Sequence, residues 1–267
     1  MPDAELSSRT AATEDLALIR DAAREAGRIA MRYFGRTPEV WMKPGDSPVS
    51  EADFAVDRFL RETLLAARPD YGWLSEETVD DPARLAARRT FIVDPIDGTR
   101  AFIDGRDVWC VSIAVVEDGA SIAGVLDCPA REEVFEATAG GAALLNGSPI
   151  RVAAGREPPI VAGPKPMLAA FAARGVRFAT QSYVPSLAYR IAMLACGRID
   201  GTFVKARSHD WDLAAADLIL GEAGGKVCDA DGATLRYGLA DTVKGSLVAG
   251  SGPLLRLMTD LIAASEA

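Results

Sequence analysis

The sequence predicts an α+β fold in two halves, residues 1–155 and residues 156–267. Three observations predict it. Apolar residues recur at helical spacing in two early segments. Short β-rich runs bounded by turn residues follow between positions 90 and 138. After Pro158 and Pro159, strand-like and helix-like segments alternate.

Residues 1–14 mix acids with small polar residues and lack the basic-then-apolar layout of a signal peptide. Over 15–34, Ile19, Ala22, Ala23, Ala26, Ile29, Ala30, Tyr33 and Phe34 share a helical face. Residues 41–49, rich in Pro and Gly, read as a loop. A second helix is expected over about 51–68, with Ala52, Ala55, Val56, Phe59, Leu60 and Leu64 on one face and Pro69 ending it. Residues 90–93 form a short β-rich run. Residues 108–116 and 121–126 flank a turn at 117–119 and read as a hairpin, and 133–138 adds a strand before the bends at Gly140–Gly141 and Asn146–Gly147. The first half is therefore two helices on a mostly antiparallel sheet. In the second half, 160–161, 176–179, 201–204 and 246–249 read as strands, and 166–173, 186–196, 212–223 and 253–264 as helices. No linker suited to independent domains separates the halves, so they should share an interface.

Composition narrows the function. The 267 residues are 49% apolar and 25% charged, ordinary for a globular protein, with a formal net charge of −9. That field repels nucleic-acid phosphates, which argues against a polymer substrate. It also repels a small phosphate unless cations sit in the site. No apolar run approaches the ~18 residues of a membrane span, so a soluble cytoplasmic protein is the default expectation. Cys110, Cys128, Cys196 and Cys228 are scattered, and His209 is the single histidine, so a Cys/His zinc site is not expected.

The densest chemical signal is Asp94-Pro95-Ile96-Asp97-Gly98-Thr99 after the 90–93 run. Two acids in a tight loop at a strand end aim carboxylates and a carbonyl at one point, which suits a hard cation such as Mg²⁺. A surface turn uses the same residues. Glu76-Glu77 reads equally as a solvated loop, and Asp212, in Trp211-Asp212, as a helix N-cap.

Taken together, Ser75-Glu76-Glu77, the Asp94 to Thr99 segment, and Trp211-Asp212 followed by Glu222-Ala223-Gly224-Gly225 resemble the motifs of the inositol monophosphatase superfamily, in the same order. The stretch from Gly141 through Asn146-Gly147 is similar to a further motif of that family. The resemblance covers nearly the whole chain. It implies a five-layered αβαβα sandwich with the site between the halves, and two or three Mg²⁺ ions. Glu76, Asp94 and the Ile96 carbonyl would hold one ion, and Asp94, Asp97 and Asp212 a second. Glu77, counted with Thr99 and Asp53 among the catalytic residues, would join Glu76 at a third, weaker site. Asp97, Gly98 and Thr99 would contact substrate, and the Thr99 hydroxyl would orient the attacking water. Asp53 would hydrogen-bond Thr99; a capping box with Ser50 is the other reading of that acid. Lys43 matches a basic residue near the family's metals.

The charges make the same case independently. Six carboxylates (Asp53, Glu76, Glu77, Asp94, Asp97, Asp212) in one cleft repel one another. At about 4 Å, two like charges cost about 1 kcal/mol in water and about 4 at an effective dielectric of 20. Divalent cations would neutralise the cluster and then clamp an anionic substrate. His209 lies beside these acids, where a solvated or supporting role fits it better than a triad. Gly250-Ser251-Gly252 is not a nucleophile elbow, and the 221–226 segment is not a P-loop.

The substrate stays open at this level. Lys205 stands seven positions before Asp212, where inositol-type members often carry a glutamate. A cation there suits a second anionic group, as in adenosine 3′,5′-bisphosphate, though an exposed strand-end lysine would look the same. Inositol-1-phosphate remains a candidate. The stretch from Asp97 to Ile103 resembles the histidinol-phosphatase branch. One bacterial branch of the superfamily associates with RNA polymerase, which gives a regulatory alternative. The resemblance further implies a homodimer and sensitivity to Li⁺.

Overall fold

The computed structural model describes residues 2–36, 38–43 and 47–266. The chain opens with α1 (Pro2–Met31), a hairpin of β1 (Val40–Lys43) and β2 (Ser47–Ser50), α2 (Glu51–Ala67) and β3 (Gly72–Ser75). It continues through β4 (Arg89–Asp97), α3 (Thr99–Ile103), β5 (Cys110–Glu117), β6 (Ala120–Cys128), β7 (Glu133–Thr138), β8 (Leu144–Leu145) and β9 (Ser148–Pro149). The second half holds β10 (Ile160–Ala162), α4 (Lys165–Ala173), β11 (Ala179–Thr180), α5 (Leu187–Ala195), β12 (Gly201–Val204), β13 (Ser208–His209) and α6 (Asp210–Glu222). It ends with β14 (Lys226–Cys228), β15 (Val243–Lys244), β16 (Leu247–Gly250) and α7 (Gly252–Glu266).

β3 to β9 form one sheet in sequential order, antiparallel except for the parallel pair β3–β4. A smaller sheet has the order β11-β10-β12-β16-β14. Both faces of the large sheet are covered, so its central strands are apolar on both sides. Phe91, Val93, Val111, Ile113 and Val115 pack with Ile19, Ala26, Val56 and Leu60 of α1 and α2. Ile92, Ala114, Val116 and Leu126 pack against Leu187 and Ile191 of α5 and Leu213 and Ile219 of α6, and that core continues to Val204 and Ala249 of the small sheet. The far face of the small sheet buries Val161, Phe203 and Val248 against Phe171 of α4 and Met258 and Ile262 of α7. The layers therefore run helices, sheet, helices, sheet, helices: an αβαβα sandwich. Gly124 lets α6 sit down on β6, because a Cβ there would lie 3.1 Å from the Ala215 backbone. No helix among the described residues is long and apolar enough to cross a membrane.

Several elements differ from expectation. α1 begins at Pro2 rather than near 15, since the early Ala, Glu, Leu and Arg residues sustain a helix by propensity without an apolar stripe. Residues 41–43 and 47–49 of the expected loop are strand, pairing as the antiparallel ribbon β1–β2, which among the described residues has no further strand beside it and so tolerates Pro48; residues 44–46 lie outside the described residues. β3 is an added strand, only four residues long, whose evidence lies in its pairing with β4 rather than in local pattern. β4 runs through Asp97, so the Asp94–Asp97 segment is a bulged strand end and not a free loop. The strand expected over 176–179 shrinks to β11. α6 starts at Asp210, with His209 at its N-cap, so Asp212 is its third residue rather than its cap.

Candidate active site

The parallel pairing of β3 and β4 sets Ser75 opposite Val93, and the Glu76 N–H donates to the Val93 carbonyl at 3.2 Å. The acidic pair Glu76-Glu77 therefore leaves the sheet beside Asp94. The irregularity between Asp94 and Asp97 interrupts regular pairing with β5, where Asp94 faces Ser112 and Asp97 faces Cys110. From the other side α6 delivers Asp212. One carboxylate oxygen each from Asp94, Asp97 and Asp212 lie within 4.8 Å of one another.

Asp94 is buried. Its Oδ1 accepts the Ile96 N–H at 3.0 Å, while Oδ2 is buried with no hydrogen-bond donor. Burial, reinforced by Glu76, Asp97 and Asp212, holds its pKa well above the carboxylate range. Asp97 is pushed up to about 6 by burial, opposed by donors at the start of α5: Ser186 Oγ at 2.5 Å and the Ala188 and Leu187 amides at 2.6 and 3.3 Å. Asp212 accepts the His209 N–H at 2.7 Å. An all-oxygen set that includes a buried carboxylate with one unpartnered oxygen fits a hard divalent cation.

Asp53 makes both sets of contacts foreseen for it. Its Oδ2 accepts the Ser50 N–H at 2.8 Å and the Ser50 hydroxyl at 2.6 Å, and its Oδ1 lies 3.2 Å from the Thr99 hydroxyl. Burial raises its pKa to about 6, against the Ser50 contacts, with Glu76 adding to the rise. Thr99 Oγ1 also lies 3.0 Å from the Ile96 carbonyl, so its single hydrogen chooses between two acceptors. Gly98, at φ +95°, carries the chain into α3; a Cβ there would meet the Ser186 Cβ at 2.9 Å.

The remaining candidates are less enclosed. Glu76 and Glu77 are half-buried, and Lys205 is exposed just after β12. The side chain of Lys43 lies outside the described residues. His209 stacks on Trp211 with ring centroids 4.4 Å apart, and burial lowers its pKa against the pull of Glu76 and Asp210. Two supports escaped sequence reasoning. Ser186, which grips Asp97, was signalled only as a polar residue opening an apolar helix. Asp210, buried and paired with Lys244 at 2.6 Å, anchors the start of α6.

Residues 12–266 match the sequence profile described as the Inositol monophosphatase family. The chain belongs to that family. Relatives in the inositol monophosphatase family include the Inositol-1-monophosphatase of Rhizobium meliloti, 32% identical over 90% of this chain and 93% of that protein. The Nus factor SuhB of Xylella fastidiosa is 34% identical over 79% and 80%. The Histidinol-phosphatase of Chlorobaculum parvum is 41% identical, but over only 53% of this chain and 54% of its own length. Among solved structures, the Thermotoga maritima IMPase superposes with a TM-score of 0.83 at 28% identity, covering 94% of this chain and 97% of that one. The chain is a phosphomonoesterase, of a family that in general depends on Mg²⁺.

The raised carboxylates make a pH prediction. A carboxylate whose pKa rises on folding stabilises the protein at low pH, and that contribution is lost as pH climbs through the folded value. For Asp53 and Asp97 the window runs from 3.8 to about 6, and the loss for Asp53 is on the order of a few kcal/mol. In chelator, thermal stability should fall between pH 5 and about 7.5. Mg²⁺ should restore it, so its stabilising shift should be larger at the higher pH, by on the order of 5 °C or more. Asp127 and Asp217, raised by burial to about 7 and about 6 outside the cluster, act with or without metal and cancel in that difference. An equal Mg²⁺ shift at both pH values would show that the cluster does not take up the cation.

Proposed function

We propose that the chain hydrolyses a small, soluble phosphate monoester in the cytoplasm, using two or three Mg²⁺ ions in the acidic cleft. The supporting observation is the meeting of Asp94, Asp97 and Asp212, with one Asp94 oxygen buried and without a hydrogen-bond donor. Glu76, Asp94, Asp97, Asp212 and the Ile96 carbonyl hold the ions, with Glu77 beside Glu76 at the weakest position. Bound Mg²⁺ supplies polarisation of the phosphoryl oxygens, activation of water and neutralisation of the leaving oxygen. The chain does the rest. Thr99 directs its hydrogen to Asp53 Oδ1, which leaves its oxygen free to accept a proton from the attacking water. Asp53, already favouring protonation, is suited to receive that proton. Asp97, Gly98 and Thr99 line the place where the phosphate sits. Phosphate release that requires Mg²⁺ and stops in chelator tests this reading; metal-independent release defeats it.

For the substrate, the exposed cation at Lys205 favours an ester with a second anionic group, adenosine 3′,5′-bisphosphate, over inositol-1-phosphate. A charge-assisted contact there contributes roughly 1.5–3 kcal/mol. Lys205→Glu should therefore lower kcat/KM for the bisphosphonucleotide about tenfold or more, and leave inositol-1-phosphate equal or better. An unchanged ratio of the two would show that Lys205 faces solvent in the complex. The Histidinol-phosphatase relative supports histidinol phosphate as a second reading, to be run in the same panel. The Nus factor relative supports a further binding role toward RNA polymerase, tested by co-purification with its subunits. A homodimer, common in the family, is read by light scattering.

A further inference from the structure

α2 carries a second buried carboxylate, Asp57, one turn beyond Asp53. Its partners are hydroxyls. Oδ1 accepts from Ser75 Oγ at 2.5 Å, and Oδ2 accepts from Thr78 Oγ1 at 2.7 Å. Ser75 is the last residue of β3 and Thr78 lies just past the acidic pair, so one carboxylate holds both sides of Glu76-Glu77.

The hydrogen-bond polarity is fixed throughout. A hydroxyl has one hydrogen, and both hydroxyls give theirs to Asp57, an acceptor when ionised. Each hydroxyl oxygen then accepts an N–H: the Glu77 amide reaches Ser75 Oγ at 3.4 Å, and the Trp73 indole reaches Thr78 Oγ1 at 3.4 Å. Glu76 belongs electrostatically to the cluster, raising Asp94, Asp97 and Asp53 alike. The turn that Asp57 ties down thus carries a charge that the cleft feels at three positions.

We propose that Asp57 is a positioning residue for the acidic pair, fixing the turn from Ser75 to Thr78 so that the Glu76 and Glu77 carboxylates reach the Mg²⁺ site. The inference rests on the proposed reading of Glu76 as a Mg²⁺ ligand. α2 then serves the site twice. Asp53 orders the hydroxyl that faces water, and Asp57 orders the turn that faces metal, so one rigid helix sets the distance between the two functions. Groups that orient ligands from behind typically govern metal affinity by about 10- to 100-fold.

The test is Mg²⁺ titration calorimetry on metal-free protein without substrate, beside melting in chelator and kcat at saturating Mg²⁺. The variants are Asp57→Asn, Thr78→Val and, as the ligand control, Glu76→Gln. Asp57→Asn offers an amide where one hydroxyl needs an acceptor. Thr78→Val keeps shape at a half-buried turn and decides the matter if Asp57→Asn does not fold. The expected result is a Mg²⁺ dissociation constant raised about tenfold or more in both, with kcat recovering at high Mg²⁺. A purely structural role would lower the melting temperature in chelator and leave Mg²⁺ affinity alone. If Glu76→Gln weakens Mg²⁺ while folded Asp57→Asn and Thr78→Val bind it like the parent, the positioning role is overturned. If Glu76→Gln itself leaves Mg²⁺ affinity unchanged, the metal reading of the acidic pair falls, and this inference with it.

Discussion

Asp94→Asn is expected to lower kcat by about a thousandfold or more while raising the melting temperature of the metal-free protein at pH 7.5. The two effects share one cause. Asp94 is buried among acids, with an oxygen that no donor reaches. Asparagine can keep the Oδ1 contact to the Ile96 N–H and puts an N–H donor where that lone oxygen stood. Without metal, the change replaces a carboxyl whose ionisation is opposed by burial and by Glu76, Asp97 and Asp212 with a neutral amide, which favours the fold. With metal, it removes a carboxylate that would hold Mg²⁺. Metal-ion stabilisation of the transition state is worth several kcal/mol, and each 1.36 kcal/mol is a factor of ten. Phosphate-release assays and melts in chelator read both signs. Near-parental turnover would end the metal mechanism, and a lower melting temperature would make Asp94 a structural residue instead.

Much of the fold was legible where a local pattern carried it. α2 shows its apolar stripe in Ala52, Val56, Leu60 and Leu64, and all four are buried. The β5–β6 hairpin announces itself through two apolar runs around Asp118-Gly119. What stayed hidden was non-local. β3 has four residues and no readable period; its identity comes from pairing with β4, whose partner residues lie 18 positions on. α1 from Pro2 rests on propensity that an amphipathic reading ignores. The candidate site divides the same way. Acids in short motifs stand out by residue type and spacing, so Asp94, Asp97 and Asp212 could be picked out, and the fold brings them together. The groups that hold them cannot be read that way. Ser186 lies 89 residues from Asp97, and nothing in its surroundings names its partner. Asp57 looks like one more polar residue on an amphipathic helix until Ser75 and Thr78 are seen to bond to it.

Thr99→Ala and Asp53→Asn should each depress kcat by about 10²- to 10⁴-fold, the usual span for a positioned proton acceptor, with far smaller changes in KM. The Thr99 hydroxyl has one hydrogen and two acceptors in reach, Asp53 Oδ1 at 3.2 Å and the Ile96 carbonyl at 3.0 Å. Only the first arrangement passes a proton onward, because a carbonyl cannot take one up. Asp53 biases the hydroxyl toward that arrangement, and its raised pKa makes it an able acceptor. Alanine removes the relay, and asparagine removes its terminus, so either change breaks the same chain. The double variant should therefore be little worse than the weaker single. Asp53 also accepts from Ser50 at the start of α2, so Asp53→Asn needs a melting curve beside its kinetics to separate a loosened helix from a broken relay. If the two losses instead multiply in a folded double variant, Thr99 and Asp53 act separately, and the attacking water must be oriented by other groups.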